Sequence, residues 1–152
     1  MTPQDDIKEK IQDLLEHMGI PCTIAIEDRS GQLVYNIKSD DSRILIGQYG
    51  GHLKSLQHIA RLLVRRSMPD NAQAPEFYLD VEDYRRNRDE FLQALARQAA
   101  DRVRQTQQRL VLKPMGSSDR RVIHTVLAQS PDLITESIGE EPERRIVIKL
   151  KK

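Results

Sequence analysis

The chain has 152 residues, with 24 Lys+Arg against 23 Asp+Glu, 38% hydrophobic residues, 4% aromatics and no Trp. No apolar run reaches the roughly 18 residues of a membrane-spanning helix, and the acidic start Met1-Thr2-Pro3-Gln4-Asp5-Asp6 is unlike a secretion signal. A lone Cys22 excludes an internal disulfide and no Cys/His cluster has zinc spacing, so the expectation is a cytoplasmic protein of one or two small domains with no metal, no cofactor and no membrane span.

Residues 4–18 place Ile7, Ile11, Leu14, Leu15 and Met18 at helical spacing, and Gly19 and Pro21 stop that helix. Residues 22–27 and 33–38 alternate, with Ile24 and Ile26, then Leu33, Tyr35 and Ile37, sharing faces. Asp28-Arg29-Ser30-Gly31 between them predicts a hairpin. Asp41 or Ser42 caps a short helix through Ile46. After the glycine cluster Gly47, Gly50 and Gly51, a helix over about 51–67 carries Leu53, Leu56, Ile59, Ala60, Leu63 and Val64 on one stripe. Alternation over 76–82 predicts a strand with Phe77, Leu79 and Val81 inward.

A second unit opens with a long helix over about 84–107, striped by Phe91, Leu95, Ala99 and Val103 and widened by Leu92 and Ala96. Residues 110–112 form a short strand stopped at Pro114. Ser117 or Ser118 caps a helix from Asp119 to about Gln129. Residues 133–138 and 144–150 are strands joined by the turn Gly139-Glu140-Glu141-Pro142. The expected class is α+β, with two small α/β-sandwich domains over 1–83 and 84–152. The boundary also divides the charge: 9 Lys+Arg and 14 Asp+Glu precede it, net −5, and 15 and 9 follow it, net +6. A basic second half suits a polyanion partner; an unevenly solvated surface is the alternative.

Two motifs carry chemistry. The first is Ile46-Gly47-Gln48-Tyr49-Gly50-Gly51, between two helices. Glycine lets backbone amides approach a ligand, and the following helix points its positive dipole end at the loop. Lys54, His58, Arg61 and Arg65 line up along that helix, away from its apolar stripe. The arrangement suits a sugar-phosphate backbone. A glycine loop between two helices, preceded by a hairpin and followed by a strand, resembles the K-homology (KH) domain in its bacterial topology. That resemblance implies that Gly47, Gln48, Tyr49 and Gly50 contact single-stranded nucleic acid, with Gly51 and Lys54 beside them. Gln48 and Tyr49 stand where such loops usually carry a basic residue, so pairing with another KH domain is the alternative use.

The second motif is Asp119-Arg120-Arg121-Val122-Ile123-His124. Arg120 and His124 lie about 40° apart around a helix axis, so they are expected to project together at the solvent edge while Val122, Ile123 and Val126 pack inward. Arg supplies a donor fork for phosphate, and His gains charge as pH falls. Arg121, Arg109 and Lys113 are supporting candidates. Arg85, Arg86 and Arg88 either join them or pair with Glu82, Asp83, Asp89 and Glu90.

The succession of Tyr84-Arg85-Arg86-Asn87-Arg88, a long helix, Leu110-Val111-Leu112-Lys113-Pro114-Met115 and then the Arg120 motif closely resembles the single-stranded nucleic-acid-binding domain named for its Arg-x-x-x-His motif. Together with the preceding unit it resembles the bacterial Jag family over about residues 20–150. The resemblance implies cytoplasmic binding of single-stranded RNA, with single-stranded DNA as the other option, and post-transcriptional regulation linked to cell elongation or the cell envelope. It also implies a second small KH protein, or self-association, as partner. No enzyme is expected: His17, His52, His58 and His124 are scattered, no nucleophile signature is present, and the glycine loop lacks the Lys-Ser/Thr of a P-loop. The alternative function is a protein-interaction adaptor that pairs through its KH unit.

Overall fold

In the computed structural model, which describes residues 1–152, the chain opens with a capping box. Thr2 Oγ1 accepts from the Asp5 amide and the Asp5 carboxylate accepts from the Thr2 amide, starting α1 (Pro3–His17). There follow β1 (Thr23–Arg29), β2 (Gln32–Lys38), α2 (Ser42–Ile46), a 3₁₀ turn at Gln48–Gly50, α3 (Gly51–Arg66), β3 (Tyr78–Val81), α4 (Tyr84–Thr106), β4 (Leu110–Val111), α5 (Ser117–Leu127), β5 (Leu133–Ile138) and β6 (Arg145–Leu150). The class is mixed α/β, with two three-stranded sheets and five α-helices. The chain divides into Met1–Arg85 and Arg86–Lys152. No helix is long and apolar enough to cross a membrane.

In the first unit the strand order is β1-β2-β3. β1 and β2 pair antiparallel from Thr23↔Lys38 to Arg29↔Gln32, and β2 and β3 pair parallel from Val34↔Tyr78 to Ile37↔Val81. Ile7, Ile11 and Leu15 of α1 share a core with Leu53, Leu56, Ala60 and Val64 of α3 and with the sheet residues Ile24, Tyr35, Ile37, Leu79 and Val81. Tyr35 meets Phe77 edge to face at 5.6 Å and donates its hydroxyl to the Gln4 carbonyl, a position whose burial pushes the phenol up to about 12. The α3 stripe differs from expectation. Ile59 (45% exposed) and Leu63 (40%) face outward, and Gln57 is buried instead. Its Nε2 donates to the Phe77 carbonyl and its Oε1 accepts from the Leu79 amide. β3 is an edge strand, so main-chain groups beside it need partners, and a buried amide that both donates and accepts supplies them.

The opposite face of this sheet is polar. Arg29 reaches Glu27 (2.7 Å), Asp80 (2.6 Å) and Asp83 (2.8 Å), and Asn36 donates to Glu27 and Asp83. Asp80 is fully buried, and its other oxygen accepts from the Val81 and Arg85 amides. The cluster holds Glu82 and Asp83, both at positive φ, in the turn that starts α4.

In the second unit the order is β4-β6-β5, all antiparallel. Leu92, Ala96, Ala99, Ala100 and Val103 of α4 pack with Ile123 and Leu127 of α5 onto Leu112, Leu133, Ile146 and Ile148. The core stripe of α4 therefore runs through Leu92 and Ala96. Phe91 is 55% exposed, beneath the Arg88 guanidinium at 5.3 Å. The start of α5 also differs: Gly116 is the N-cap, and Ser117 and Ser118 lie within the first turn. Asp119 is buried there and accepts from Arg88 Nε and Nη2 at 3.0 and 2.7 Å. Arg88 thus pairs with Asp119 rather than with the acidic residues adjacent in sequence.

Candidate nucleic-acid interface

The glycine loop follows from backbone geometry. Gly47 and Gly50 sit at φ +70° and +73°, and Tyr49 between them at +56°, where L side chains are strained. A Cβ on Gly47 would lie 2.4 Å from the His52 ring, and one on Gly50 would lie 3.1 Å from the Tyr84 ring. His52 is itself held, with Nδ1 2.6 Å from the Ile44 carbonyl oxygen. The space beside Gly47 that a ligand backbone was expected to enter is therefore occupied by imidazole. Gln48 and Gly51 are exposed and Tyr49 is half-buried.

The basic side of α3 is divided in use. Lys54 and His58 are exposed. Arg61 donates to the Phe77 carbonyl and lies over the Tyr78 ring at 5.2 Å, and Arg65 donates to the Ala72 carbonyl. These two arginines anchor the loop between α3 and β3.

On α5 the expected solvent-edge pair is corrected. Arg120 is only 7% exposed. Its Nη1 donates to the Met115 carbonyl at 2.6 Å and its Nη2 to Glu141 Oε1 at 2.7 Å. The physical reason is angular. Arg120 sits about 20° from Leu127 and 60° from Ile123 around the helix, on the arc that meets the sheet. His124 is half-buried against β5, with Nδ1 2.7 Å from Thr135 Oγ1 and Nε2 3.0 Å from Ser137 Oγ. Burial, helped by the nearby Arg120 charge, lowers its pKa from 6.5, so the ring is neutral at pH 7. Spacing along α5 identifies neither Thr135, Ser137 nor Glu141, which the β5–β6 hairpin delivers from more than ten residues away.

The remaining cations separate. Arg121 is exposed on α5. Arg109 and Lys113 are exposed as well, and they flank β4 on its two sides. The structure thus joins Arg120 and His124 to the β5–β6 hairpin and puts Arg109 and Lys113 beside β4, across β6 from β5. No group of three or more His, Cys, Asp or Glu side chains is placed to hold a metal ion.

Residues 90–150 match the family model of the R-3-H domain, the domain named for its Arg-x-x-x-His motif. The chain is 36% identical over 153 residues to RNA-binding protein KhpB of Clostridium symbiosum, covering 99% of this chain and 68% of that protein. This chain belongs to the KhpB family. It is also 30% identical to the KhpB of Bacillus subtilis (strain 168), covering 100% of this chain and 73% of that protein, and 28% identical to that of Lactiplantibacillus plantarum, covering 91% and 42%. The KhpB proteins are the Jag family that the two motifs pointed to.

Proposed function

We propose that this chain binds single-stranded RNA in the cytoplasm without cleaving it, using unpaired cations of the second unit and, as a weaker contact, the glycine loop of a KH domain formed by the first. The observation that carries the reading is likeness along the whole chain to relatives named as RNA-binding proteins, laid over a second half of net charge +6. The helix-hairpin-helix-loop-helix-strand order, with its glycine loop between α2 and α3, supports the KH assignment. A neutral His124 held between two hydroxyls, with no carboxylate on either nitrogen, supports binding rather than acid–base catalysis. Arg120 and His124 act in this reading as positioning residues, and Arg121, Arg109 and Lys113 as candidate phosphate contacts.

The test is fluorescence anisotropy with labelled single-stranded RNA across a salt series. Each phosphate neutralised on a single strand contributes a slope of about −0.7 in log affinity against log salt. Four contacts make the affinity fall about fiftyfold between about 50 and 200 mM salt. A flat salt response, or no binding at low salt, refutes the proposal. A second reading, pairing of the first unit with another KH domain, draws on the exposed Ile59, Leu62 and Leu63 of α3. Sedimentation without RNA tests it: a dimer that Leu62→Glu dissolves supports pairing, and a monomer at all concentrations refutes it.

A further inference from the structure

A groove lies between α4 and the end of α5, at residues that neither motif singles out. Its volume is about 640 Å³, inside the range of roughly 300–1,000 Å³ typical of small-ligand sites. Ala100, Val126 and Leu127 line it, and Ala100 and Leu127 belong to the core of the second unit, so its floor is apolar and packed. Gln93, Arg97, Asp101 and Arg104 stand along the α4 side. Thr125 of α5 stands opposite, with Gln129 and Ser130 just beyond the helix end. Every lining residue lies within the second unit.

The polar groups around the groove differ in what they already hold. Gln93 donates to Asp89. Arg104 grips Asp132 at 2.7 and 3.0 Å and Asp101 at 3.5 Å, so that end carries no surplus positive charge. Arg97 is exposed, and its guanidinium makes neither a hydrogen bond nor an ion pair. The side chains of Thr125, Gln129 and Ser130 are equally uncommitted. Each alone is an ordinary solvated group. Together they set one unbalanced cation and three hydrogen-bonding groups around an apolar floor, the make-up of a binding site. The wall also continues: exposed Arg121 precedes Thr125 by one turn, about 40° around α5 and about 6 Å along it.

We propose that this groove takes one nucleotide of the bound single strand, with its phosphate on Arg97 and the polar edges of its base and ribose on Gln129, Thr125 and Ser130. The inference rests on the RNA-binding reading above and adds a subsite to it. A guanidinium offers phosphate oxygens a donor fork. A carboxamide both donates and accepts, as a base edge does, and a hydroxyl does either beside a 2′-OH. No aromatic ring lines the groove, so the base is held by its edge and by contact with the apolar floor rather than by stacking. The strand then continues along α5 toward Arg121, already a candidate phosphate contact. An acidic peptide is the competing occupant; relatives named as RNA-binding proteins favour the strand.

The experiment compares the full chain with Arg97→Glu, Arg102→Glu and Gln129→Ala, using one labelled single-stranded RNA across a salt series. Arg102 is exposed on α4 and outside the groove, about 140° around the helix from Arg97, so Arg102→Glu matches the change in net charge. Arg97→Glu is expected to lose about tenfold in affinity, with a salt slope shallower by about 0.7 for one lost phosphate, and Arg102→Glu about twofold or less. Gln129→Ala is expected to lose about threefold with the slope unchanged, as for a neutral hydrogen bond. Melting temperatures should stay within about 4 °C of the parent, since all three positions are exposed. Arg97→Gln, which sets no second carboxylate near Asp101, takes the place of Arg97→Glu if that variant does not fold. Equal losses in Arg97→Glu and Arg102→Glu, or parent affinity in Gln129→Ala, overturn the subsite while leaving RNA binding intact. A labelled poly-glutamate peptide that binds the parent but not Arg97→Glu, with RNA affinity the same in both, assigns the groove to an acidic protein and overturns it too. Absence of RNA binding by the unaltered chain at low salt overturns the RNA reading itself, and the subsite with it.

Discussion

Replacing Arg120 with Ala tests whether this residue braces the fold or grips a ligand. The guanidinium is buried and makes two charge-assisted hydrogen bonds, to the Met115 carbonyl and to Glu141. Losing the first leaves a carbonyl in the packed segment around Met115, a residue 4% exposed, at a cost of about 2 kcal/mol. Losing the second costs less, about 0.5 kcal/mol, because Glu141 is 58% exposed and its carboxylate returns to water. Removing the side-chain stem from beside Leu127 and Ile123 adds about 1 kcal/mol of lost packing. The sum is about 3–4 kcal/mol. At about 4–8 °C per kcal/mol for a small domain, it lowers the melting temperature of the second unit by roughly 12–30 °C. Circular dichroism melts and urea titrations measure this. Glu141→Gln should cost no more than about 1 kcal/mol in the same assays. An Arg120→Ala protein that melts within a few degrees of the parent yet loses RNA affinity would refute the brace and restore Arg120 as a contact.

Gly47→Ala meets both φ +70° and the His52 ring, and should destabilise the first unit by about 2 kcal/mol in urea unfolding. His52→Ala should recover only the share due to the ring, because the Cβ at position 52 still lies 2.8 Å from the new one, and the backbone share should remain. For His124, the folded pKa lies below the unfolded value of 6.5, so the unfolded chain binds more protons in acid. Stability should be level above neutrality and fall as pH drops through 6.5 toward the lower folded value. Melting temperature against pH reads the trend, and His124→Gln should flatten that portion of the curve.

Much of the architecture was legible because apolar residues recur at the right periods. The β1–β2 hairpin was marked by Asp28-Arg29-Ser30-Gly31, and its geometry is the expected one: Ser30 and Gly31 have positive φ and the Asp28 carboxylate caps the Gly31 amide. Which side of a helix faces inward was less legible. Ile59 and Leu63 are as apolar as Leu56, but two main-chain groups near β3 needed an amide, so Gln57 took the inner position. Phe91 lost its place to Leu92, about 100° away around the helix, which shares a face with Ala96, Ala99 and Val103. At the site, the angle that buries Arg120 is present in the spacing to Ile123 and Leu127, yet its charge argued for solvent. The partner that makes burial tolerable, Glu141, is twenty-one residues away and arrives only through the β5–β6 hairpin. His52 against Gly47 was hidden for a similar reason, since nothing in a G-x-x-G pattern says which ring fills the gap.

The two hydroxyls flanking His124 make its surroundings indifferent to where the ring carries its hydrogen. Each is a rotor that can give or receive, so Thr135 and Ser137 can satisfy either tautomer by turning an O–H, with no heavy atom displaced. A doubly protonated ring is accommodated the same way, both oxygens then receiving. Acidification therefore changes the energy of this corner without redrawing it, and an image taken at pH 5 should superimpose on one taken at pH 8.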